Sequence, residues 1–500
     1  MSDASAIRPI ALVSLLFLIV RTFSALVVAQ PGYTDAYYYV DVAGRLARGA
    51  GLTADFVWSP IELGALPVVS HKFWMPLATV LQGGGIAALG GLVGDYRAAQ
   101  AAVILSGAFV PAATFLCARA LGAGDRAALV GAAVVGLGGL FAPAWVSLDG
   151  FAPAALLGAL FFLAYRRAAG GSTRAGLAAG LLVGLLYLTR AEASLFGLAL
   201  VALALRRSSR RAGVVGSLVA LVIGGAWLAR DVAVGVPSDL LARSALLVRY
   251  EDFFALRSPT LDAFLASPGD VLAAKGGALL TNAVTLVMAF ALVLVVPLAS
   301  GLRHLWPRLE VRAWTLLALL VFAAQSLAWT LHSVRGSYFH SLGAFFPFGV
   351  AIAMVGGEQL LAARRPQIAS AWTWGAVLVV AALSAGALAQ WDVAFNSGPR
   401  ARSAAVDAIP EGAFLAIDAA AWRWISGRSV IVTPADGLDA AACMVATVNA
   451  RSIVLEEPHF RAYDDLYRGG PRPAWLGAPI ERGSIKIFPV TGELDLRCLR

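Results

Sequence analysis

Long apolar runs constrain the fold of this chain more than any other feature of its sequence. Stretches of about twenty residues with almost no charge recur from residue 9 to residue 389, and a membrane-spanning helix needs about 20 mostly apolar residues. Only 14% of the residues are charged, whereas soluble domains have about 25% charged residues. The sequence therefore predicts a polytopic α-helical membrane protein.

Eleven of the apolar runs are predicted spans. The first is predicted to be a retained helix, because it is longer than the apolar region of a signal peptide and no convincing cleavage site follows it. The short run at 193–205 is predicted to begin earlier or to be tilted. The spans are 9–29, 98–118, 127–146, 150–166, 174–190, 193–205, 212–230, 279–301, 313–331, 338–357 and 370–389.

A twelfth apolar stretch, residues 76–94, decides the topology. Its glycines lower helix propensity, and we interpret it as an interfacial or re-entrant piece. With this stretch left out and the N-terminus in the cytoplasm, every strongly basic short loop is cytoplasmic, as the positive-inside rule requires. Those loops contain Arg119 and Arg126; Arg166, Arg167 and Arg174; Arg206, Arg207, Arg210 and Arg211; Arg303, Arg308 and Arg312; and Arg364 and Arg365.

This topology predicts three large extracytoplasmic pieces. The second of them contains LARSALLVRYEDFFAL, which has the pattern of an amphipathic segment on the membrane surface. In the third, after Trp391, the short runs FLAID, SVIVT and SIVLE alternate with helix-like stretches and predict a small α/β domain. The predicted domains are a transmembrane domain at 1–390 with outer loops at 31–94 and 231–278, and an extracytoplasmic α/β domain at 391–500.

Several classes of protein lack support in the sequence. The net charge is +9, but no basic stripe with interleaved aromatic residues indicates nucleic-acid binding. There is no phosphate loop for ATP, no H-E-x-x-H metalloprotease motif, no D-x-D motif for a nucleotide sugar and no internal repeat typical of a transporter. Cys117, Cys443 and Cys498 form no recognisable framework; Cys443 and Cys498 either pair outside the cytoplasm or remain thiols.

Two aspartates lie on the predicted outer side. Asp35, in GYTDAYYYVDV, follows the first span, and Asp149, in SLDG, lies between the third and fourth spans. Ionisable residues at the end of an apolar segment are costly and are often functional. The alternative is helix capping, with Thr34 or Asp35 capping a surface helix that starts at Ala36, and Asp149 opening the next helix.

Charged and polar residues also follow two later spans. In LTRAEASL, Arg190 and Glu192 form either an ion pair at a helix break or the charged lining of a cavity at membrane depth. In TLHSVRGSYFHSL, the predicted outer residues are His332, Arg335, Tyr338 and His340. A guanidinium group matches phosphate oxygens in a bidentate manner, which suits Arg335 to a phosphate ligand; contact with anionic lipid headgroups is the alternative.

These motifs, taken in order, resemble the GT-C class of glycosyltransferases. The resemblance rests on the first span, YTDAYYY, KFWMPLATVLQ, CARALGAGDRAAL, SLDG, LTRAEASL, RGSYFH and the C-terminal region. It is strongest to the polyprenol-phosphate-sugar branch, which includes the protein O-mannosyltransferases and the aminoarabinose lipid A transferases. The family's P-P-L-type segment keeps only one proline here, Pro76.

The resemblance implies roles for individual residues. Asp35 matches the acid that activates the acceptor as a general base, and Asp149 matches a second acid. The segment 240–256 is similar to a mobile loop over the cavity, and the C-terminal region to a domain that helps bind the acceptor. The residues implied to bind the donor phosphate are Arg335, His332 and His340, and those implied to line the cavity are Arg190, Glu192 and Tyr338.

The predicted function is therefore transfer of a sugar, with inversion, from a polyprenyl-phosphate donor to an extracytoplasmic lipid, glycan or protein acceptor. The sequence identifies no cofactor, but a divalent metal ion could supply part of the positive charge, two carboxylates could bind one, and metal dependence stays open. A lipid-linked-sugar flippase or another secondary transporter is the alternative, although it needs neither long outer loops nor a folded C-terminal region. A non-catalytic assembly subunit of the same fold is a third alternative, in which Asp35 has no catalytic role.

Overall fold

The computed structural model describes residues 3–257, 260–362 and 366–492. Arg364, Arg365 and Cys498, which enter the sequence predictions, lie outside these residues. Contacts divide the chain into two compact units. The first, here called the helical unit, comprises 1–29, 73–236 and 275–391; the second, here called the α/β unit, comprises 30–72, 237–274 and 392–500.

Helices account for most of the secondary structure in the described ranges. The first eleven in chain order are α1 (Asp3–Val27), α2 (Thr34–Ala47), α3 (Leu77–Val93), α4 (Asp95–Ala108), α5 (Val110–Leu121), α6 (Asp125–Leu137), α7 (Phe151–Ala169), α8 (Thr173–Tyr187), α9 (Gly197–Leu205), α10 (Arg210–Ala233) and α11 (Leu240–Ser244). The next eleven are α12 (Leu261–Leu265), α13 (Pro268–Ala289), α14 (Val295–Leu305), α15 (Leu309–Leu327), α16 (Thr330–His332), α17 (Tyr338–Leu361), α18 (Pro366–Phe395), α19 (Gly398–Ala405), α20 (Ala419–Ser426), α21 (Leu438–Val448) and α22 (Asp464–Tyr467).

Eight helical segments in the described part of the chain are long and apolar enough to cross a membrane. This confirms the polytopic α-helical class, and the chain is an integral membrane protein. The predicted number of eleven spans stays a prediction, because the apolar helices at Leu77–Val93, Thr173–Tyr187 and Ala191–Leu205 are shorter than these eight. The eight segments are Ile10–Val27, Asp95–Leu121, Phe151–Ala169, Arg210–Ala233, Pro268–Ala289, Leu309–Leu327, Arg335–Leu361 and Ala371–Ala408.

Two apolar stretches show details that the sequence did not predict. The run at 279–301 is divided between α13 and α14, because Ala291 and Leu292 adopt positive φ angles of 52° and 58° and end the first helix. Conversely, 77–93 forms one continuous helix despite its glycines. A methyl group added at Gly85 would lie 2.5 Å from the carbonyl oxygen of Ala98, so the glycine permits close packing of α3 on α4.

Four of the basic loops meet at one end of the helical unit. Arg166 and Arg308 both donate hydrogen bonds to the carbonyl oxygen of Ala120, and Arg166 also lies 3.6 Å from Glu310. A methyl group at Gly171 would contact the carbonyl of Ser208, which brings the 206–211 loop to the same place. We call this the basic end. Because α7 runs from Phe151 to Ala169, residues just before it lie at the opposite end, here called the Asp149 end.

Close contact between small residues joins the central helices of this unit. The side chains of α17 are buried continuously from Ser341 to Gly357. A methyl group at Gly158 of α7 would overlap the carbonyl oxygen of Ala344 in α17. Such approach of two backbones is characteristic of helix pairs in membranes, where packing rather than the hydrophobic effect drives association.

We therefore expect Gly158→Ala to destabilise the protein by about 1–3 kcal/mol, the usual cost of overpacking a well-packed interior. The matched control is Gly225→Ala in α10, where a methyl group meets no atom within 4 Å, so that only the gain in helix propensity remains. Thermal unfolding of both variants in the same detergent measures the difference. Equal midpoints for the two variants would contradict the close contact between α7 and α17.

The α/β unit is organised around a sheet of six strands. The strands of the chain are β1 (Thr53–Ala54), β2 (Phe56–Val57), β3 (Val68–Val69), β4 (Phe414–Ala416), β5 (Val430–Val432), β6 (Ser452–Leu455), β7 (Ile480–Arg482) and β8 (Ile485–Pro489). The six-stranded order is β2-β5-β4-β6-β8-β7, with parallel pairing from β2 to β6 and antiparallel pairing beyond, while β1 pairs with β3. The runs FLAID, SVIVT and SIVLE supply β4, β5 and β6, which confirms the predicted α/β fold of this region.

Residues before the second membrane helix also belong to this sheet. Phe56 and Val57 of β2 pair in parallel with Val430 and Ile431 of β5. Arg423 of α20 reinforces the connection, because its guanidinium lies 3.3 Å from Asp41 and 3.2 Å from Asp55. The sequence grouped the first outer loop with the transmembrane domain, whereas the structure groups residues 30–72 with the C-terminal region.

The second outer loop joins the same unit. The predicted surface segment at 240–256 forms α11 and a 3-10 turn at Tyr250–Phe254. Phe253 packs on Trp58 with 5.1 Å between ring centroids, and the Phe254 carbonyl accepts a hydrogen bond from Ala435 at 2.9 Å. The Asp436 carboxylate accepts hydrogen bonds from the backbone N–H groups of Leu256 and Arg257. Three separate segments of sequence thus build one folded unit.

Candidate active site

Asp149 lies in the connection between α6 and α7, at the Asp149 end of the helical unit. The Gln100 side chain holds this connection by donating to the carbonyl of Val146 at 3.1 Å. The Trp145 indole donates to the carbonyl of Val135, also at 3.1 Å. Asp149 is only 2% exposed. The N-cap residue of α7 is Gly150, and its backbone N–H donates a hydrogen bond to the Asp149 carboxylate. The side chain is therefore buried one residue before the cap position.

His340 is the partner of this carboxylate. Its Nδ1 lies 3.4 Å from the Asp149 Oδ2, and its ring packs against Phe151 at 4.0 Å between centroids. The imidazole comes from the first turn of α17, and the carboxylate from the start of α7. A buried carboxylate beside an imidazole fixes the orientation of the ring.

A polar network lies next to this pair. Arg190 pairs with Glu192 and donates to the Ser337 hydroxyl at 2.9 Å. Ser341 donates to Glu192, and the Gln325 amide donates to both hydroxyls, at 3.1 and 3.3 Å. The sequence pointed to the charged pair but missed the three uncharged members. The sequence did contain a signal for two of these members, because Ser337 and Ser341 are four residues apart and therefore share one helix face.

His340, Ser341, Arg190 and Glu192 also line one small cavity of about 10 Å³. That volume is close to the space of one water molecule. Arg190 and Glu192, which were predicted to line a cavity, thus line the same cavity as His340. Tyr338 is 3% exposed and packs against the ring of Phe322 at 5.5 Å.

The two remaining phosphate-binding candidates differ in exposure. Arg335 is exposed and lies in a π-helical turn, Ser333–Ser337, in which Gly336 adopts a φ of 105°. His332 packs against Phe73 with 5.4 Å between centroids. Burial, assisted by the positive charge of Arg190, lowers the pKa of His332 to about 4. At neutral pH its imidazole is uncharged, so it can offer a phosphate a hydrogen bond but no positive charge.

Asp35 belongs to the α/β unit, where it is the second residue of α2. The helix starts at Thr34 rather than at Ala36, its N-cap is Tyr33, and that residue makes no side-chain cap hydrogen bond. The residues from Ala36 to Gly44 are buried, so α2 is not a surface helix. Asp35 itself is half-buried in the first turn, where the helix dipole favours a negative charge.

No family model and no curated protein sequence matches the chain. Among solved structures, ArnT from Cupriavidus metallidurans is similar over 98% of both chains, with a TM-score of 0.54 at 13% identity for the apo state and 0.54 at 14% with bound undecaprenyl phosphate.

Two further structures share the fold. The archaeal oligosaccharyltransferase AglB from Archaeoglobus fulgidus, in complex with an inhibitory peptide and a dolichol-phosphate, matches with a TM-score of 0.50 and 13% identity, over 88% of this chain and 69% of that chain. The mycobacterial arabinofuranosyltransferase AftD matches with a TM-score of 0.52 and 15% identity, over 97% of this chain and 40% of that chain. All three are GT-C glycosyltransferases, and the chain has the GT-C fold, as the sequence motifs predicted.

Proposed function

We propose that this protein transfers a sugar from a polyprenyl-phosphate donor to an acceptor outside the cytoplasm. One observation carries the proposal. In a fold shared with ArnT, which binds undecaprenyl phosphate, the Asp149 end of the helical unit holds a buried carboxylate–imidazole pair. Arg335 lies in the turn just before the helix that carries His340. Ionisable residues in transmembrane segments commonly mark substrate or ion pathways, which supports a site for a charged lipid headgroup here.

The proposed reaction is a single displacement. The acceptor hydroxyl oxygen forms a bond to the anomeric carbon, the bond from that carbon to the phosphate oxygen breaks, and the phosphate leaves with the electron pair as polyprenyl phosphate. The carboxylate of Asp35 takes the hydroxyl proton as the new bond forms, because a hydroxyl is a poor nucleophile while it keeps that proton. One displacement inverts the anomeric centre.

The leaving phosphate needs positive charge and hydrogen-bond donors. Arg335 is proposed to bind it through its planar guanidinium, which matches two phosphate oxygens at once. His340, oriented by Asp149, and the neutral His332 are proposed to supply further N–H donors. Asp149 and His340 are also of the ligand types that bind divalent ions, and such an ion would add positive charge beside the phosphate.

The α/β unit is proposed to bind the acceptor on the extracytoplasmic side. Its sheet presents loops at the carboxyl ends of the parallel strands β2, β5, β4 and β6, the edge at which ligands commonly bind in α/β folds. The acceptor is a hydroxyl-bearing lipid, glycan or protein. The basic end of the helical unit is then cytoplasmic, in agreement with the positive-inside rule.

The proposal is tested with the purified full chain in liposomes that contain polyprenyl-phosphate carrying a radiolabelled hexose or pentose, together with an extract of envelope lipids, glycans and proteins. We expect the label to move from the donor into one acceptor fraction, with an equal amount of free polyprenyl phosphate released. A flippase would leave the label on the donor and change only the leaflet from which it is accessible. A non-catalytic subunit would do neither, and either of these results would reject the transferase.

A further inference from the structure

A partly open groove of about 370 Å³ lies at the basic end of the helical unit. This volume falls within the range of about 300–1,000 Å³ that is typical of small-molecule sites. Its walls come from α5, α7 and α8, and all but one of the lining side chains are apolar. The lining residues are Leu116, Ala120, Leu160, Leu163, Ala164, Arg167 and Leu182.

Within the described part of the chain, Arg167, the charged residue of this groove, lacks the kind of protein contacts that the nearby arginines Arg166 and Arg308 make. Arg166 lies 3.6 Å from Glu310 and donates to the carbonyl of Ala120, and Arg308 donates to the same carbonyl. Arg167 is exposed in the last turn of α7, and its guanidinium makes no hydrogen bond or ion pair with the residues described in 3–257, 260–362 and 366–492. A cation at the membrane surface attracts an anionic partner.

The surroundings restrict what can supply that anion. The bilayer already dissolves acyl chains as well as an apolar groove does, so the groove by itself selects no lipid over another. Arg167 adds the selectivity, because an arginine binds phosphate oxygens and anionic lipids are attracted to basic residues at the membrane surface. The ligand that fits is amphipathic, with an apolar chain and a phosphate without a compensating positive charge.

We propose that this groove binds one acyl chain of an anionic diacyl phospholipid, with the phosphate of its headgroup on Arg167. The site is separate from the proposed donor site, because α7 carries Asp149 just before its first residue and Arg167 in its last turn. The 19 residues of α7 span about 28 Å, so the two sites lie near opposite membrane surfaces. The inference therefore does not depend on the proposed function.

The test measures lipid binding to the purified full chain by native mass spectrometry. The probes are dioleoyl-phosphatidylglycerol and dioleoyl-phosphatidylcholine, which share acyl chains and differ in net charge. We expect Arg167→Gln to reduce the preference for phosphatidylglycerol about tenfold, as loss of one charge-assisted hydrogen bond implies. The matched control is Arg174→Gln, which removes an exposed arginine from the same end, outside the groove, and should change the preference less than twofold.

A second variant tests the apolar part of the site. Leu163→Trp fills the groove but keeps the charge, and it should also weaken phosphatidylglycerol binding. Equal losses in Arg167→Gln and Arg174→Gln would show that the whole basic end attracts anionic lipid without a site, and unchanged binding in Leu163→Trp would place the lipid elsewhere. Displacement of bound phosphatidylglycerol by an equimolar amount of polyprenyl phosphate would show that the groove holds the donor lipid, and would overturn the proposal.

Discussion

Asp35→Asn is expected to reduce the rate of sugar transfer by about 10²- to 10⁴-fold, the usual effect of removing a general base. Asparagine has nearly the same size as aspartate, but its amide cannot accept a proton from the attacking hydroxyl. Fold and expression should be retained, because Asp35 is half-buried in the first turn of α2 rather than in the core of the unit. The loss should appear in kcat at saturating donor.

The matched control for this variant is Asp439→Asn. Asp439 also occupies the first turn of a helix in the α/β unit, α21, and is exposed. Each substitution removes a favourable interaction with a helix dipole worth about 0.3–1 kcal/mol, so the two variants should lose similar stability. Only Asp35→Asn should lose transfer activity. Full activity in the purified Asp35→Asn protein would leave Asp35 with a structural role alone.

The second large effect is expected at the pair formed by Asp149 and His340. Asp149→Asn and His340→Gln should each lower the rate of transfer about tenfold to a hundredfold, since a hydrogen bond to a charged group contributes roughly 1.5–3 kcal/mol. The double variant should be no slower than the slower single variant, because both changes remove the same interaction. Transfer rates for the four proteins of this cycle give the coupling directly.

The control for the cycle is Asp125→Asn, an exposed carboxylate in the first turn of α6, whose partner, Arg119, belongs to the basic end. It should retain the wild-type rate of transfer. If the losses in Asp149→Asn and His340→Gln instead multiply in the double variant, the two side chains act independently. The contact of 3.4 Å between them would then have no part in the reaction.

Much of the helical unit is predictable because a membrane imposes a simple pattern. The runs at 150–166 and 212–230 became α7 and α10 with boundaries shifted by up to three residues. The break between α13 and α14 was not predictable, because Ala291 and Leu292, which make it, are ordinary helix-forming residues in an apolar run. The stretch at 77–93 forms a continuous helix, and its interpretation as an interfacial or re-entrant piece stays a prediction. Its glycines lower helix propensity, but in the fold they permit close packing.

In the candidate site, too, local sequence patterns predict the individual residues but not the contacts that depend on tertiary packing. Chemistry at the ends of apolar runs identified Asp149 and His340 separately, but no local pattern predicts that they meet. Their contact depends on the packing of α7 against α17, which in turn needs the small side chain at Gly158. In the α/β unit, β4, β5 and β6 carried a visible pattern. The two-residue strand β2 is too short for any periodicity, so its place in the sheet follows only from tertiary structure.

The pairing of β2 with β5 also restricts how many times the chain crosses the membrane. Two strands can share hydrogen bonds only on the same side of a bilayer, so the crossings between residues 57 and 430 must be even in number. The contacts of Phe254 with Ala435 add the same condition between residues 254 and 435. Six predicted spans separate the first outer loop from the second, and four separate the second from the C-terminal region. If all six predicted spans cross, a seventh crossing at 76–94 would make the first count odd, which the pairing of β2 with β5 excludes.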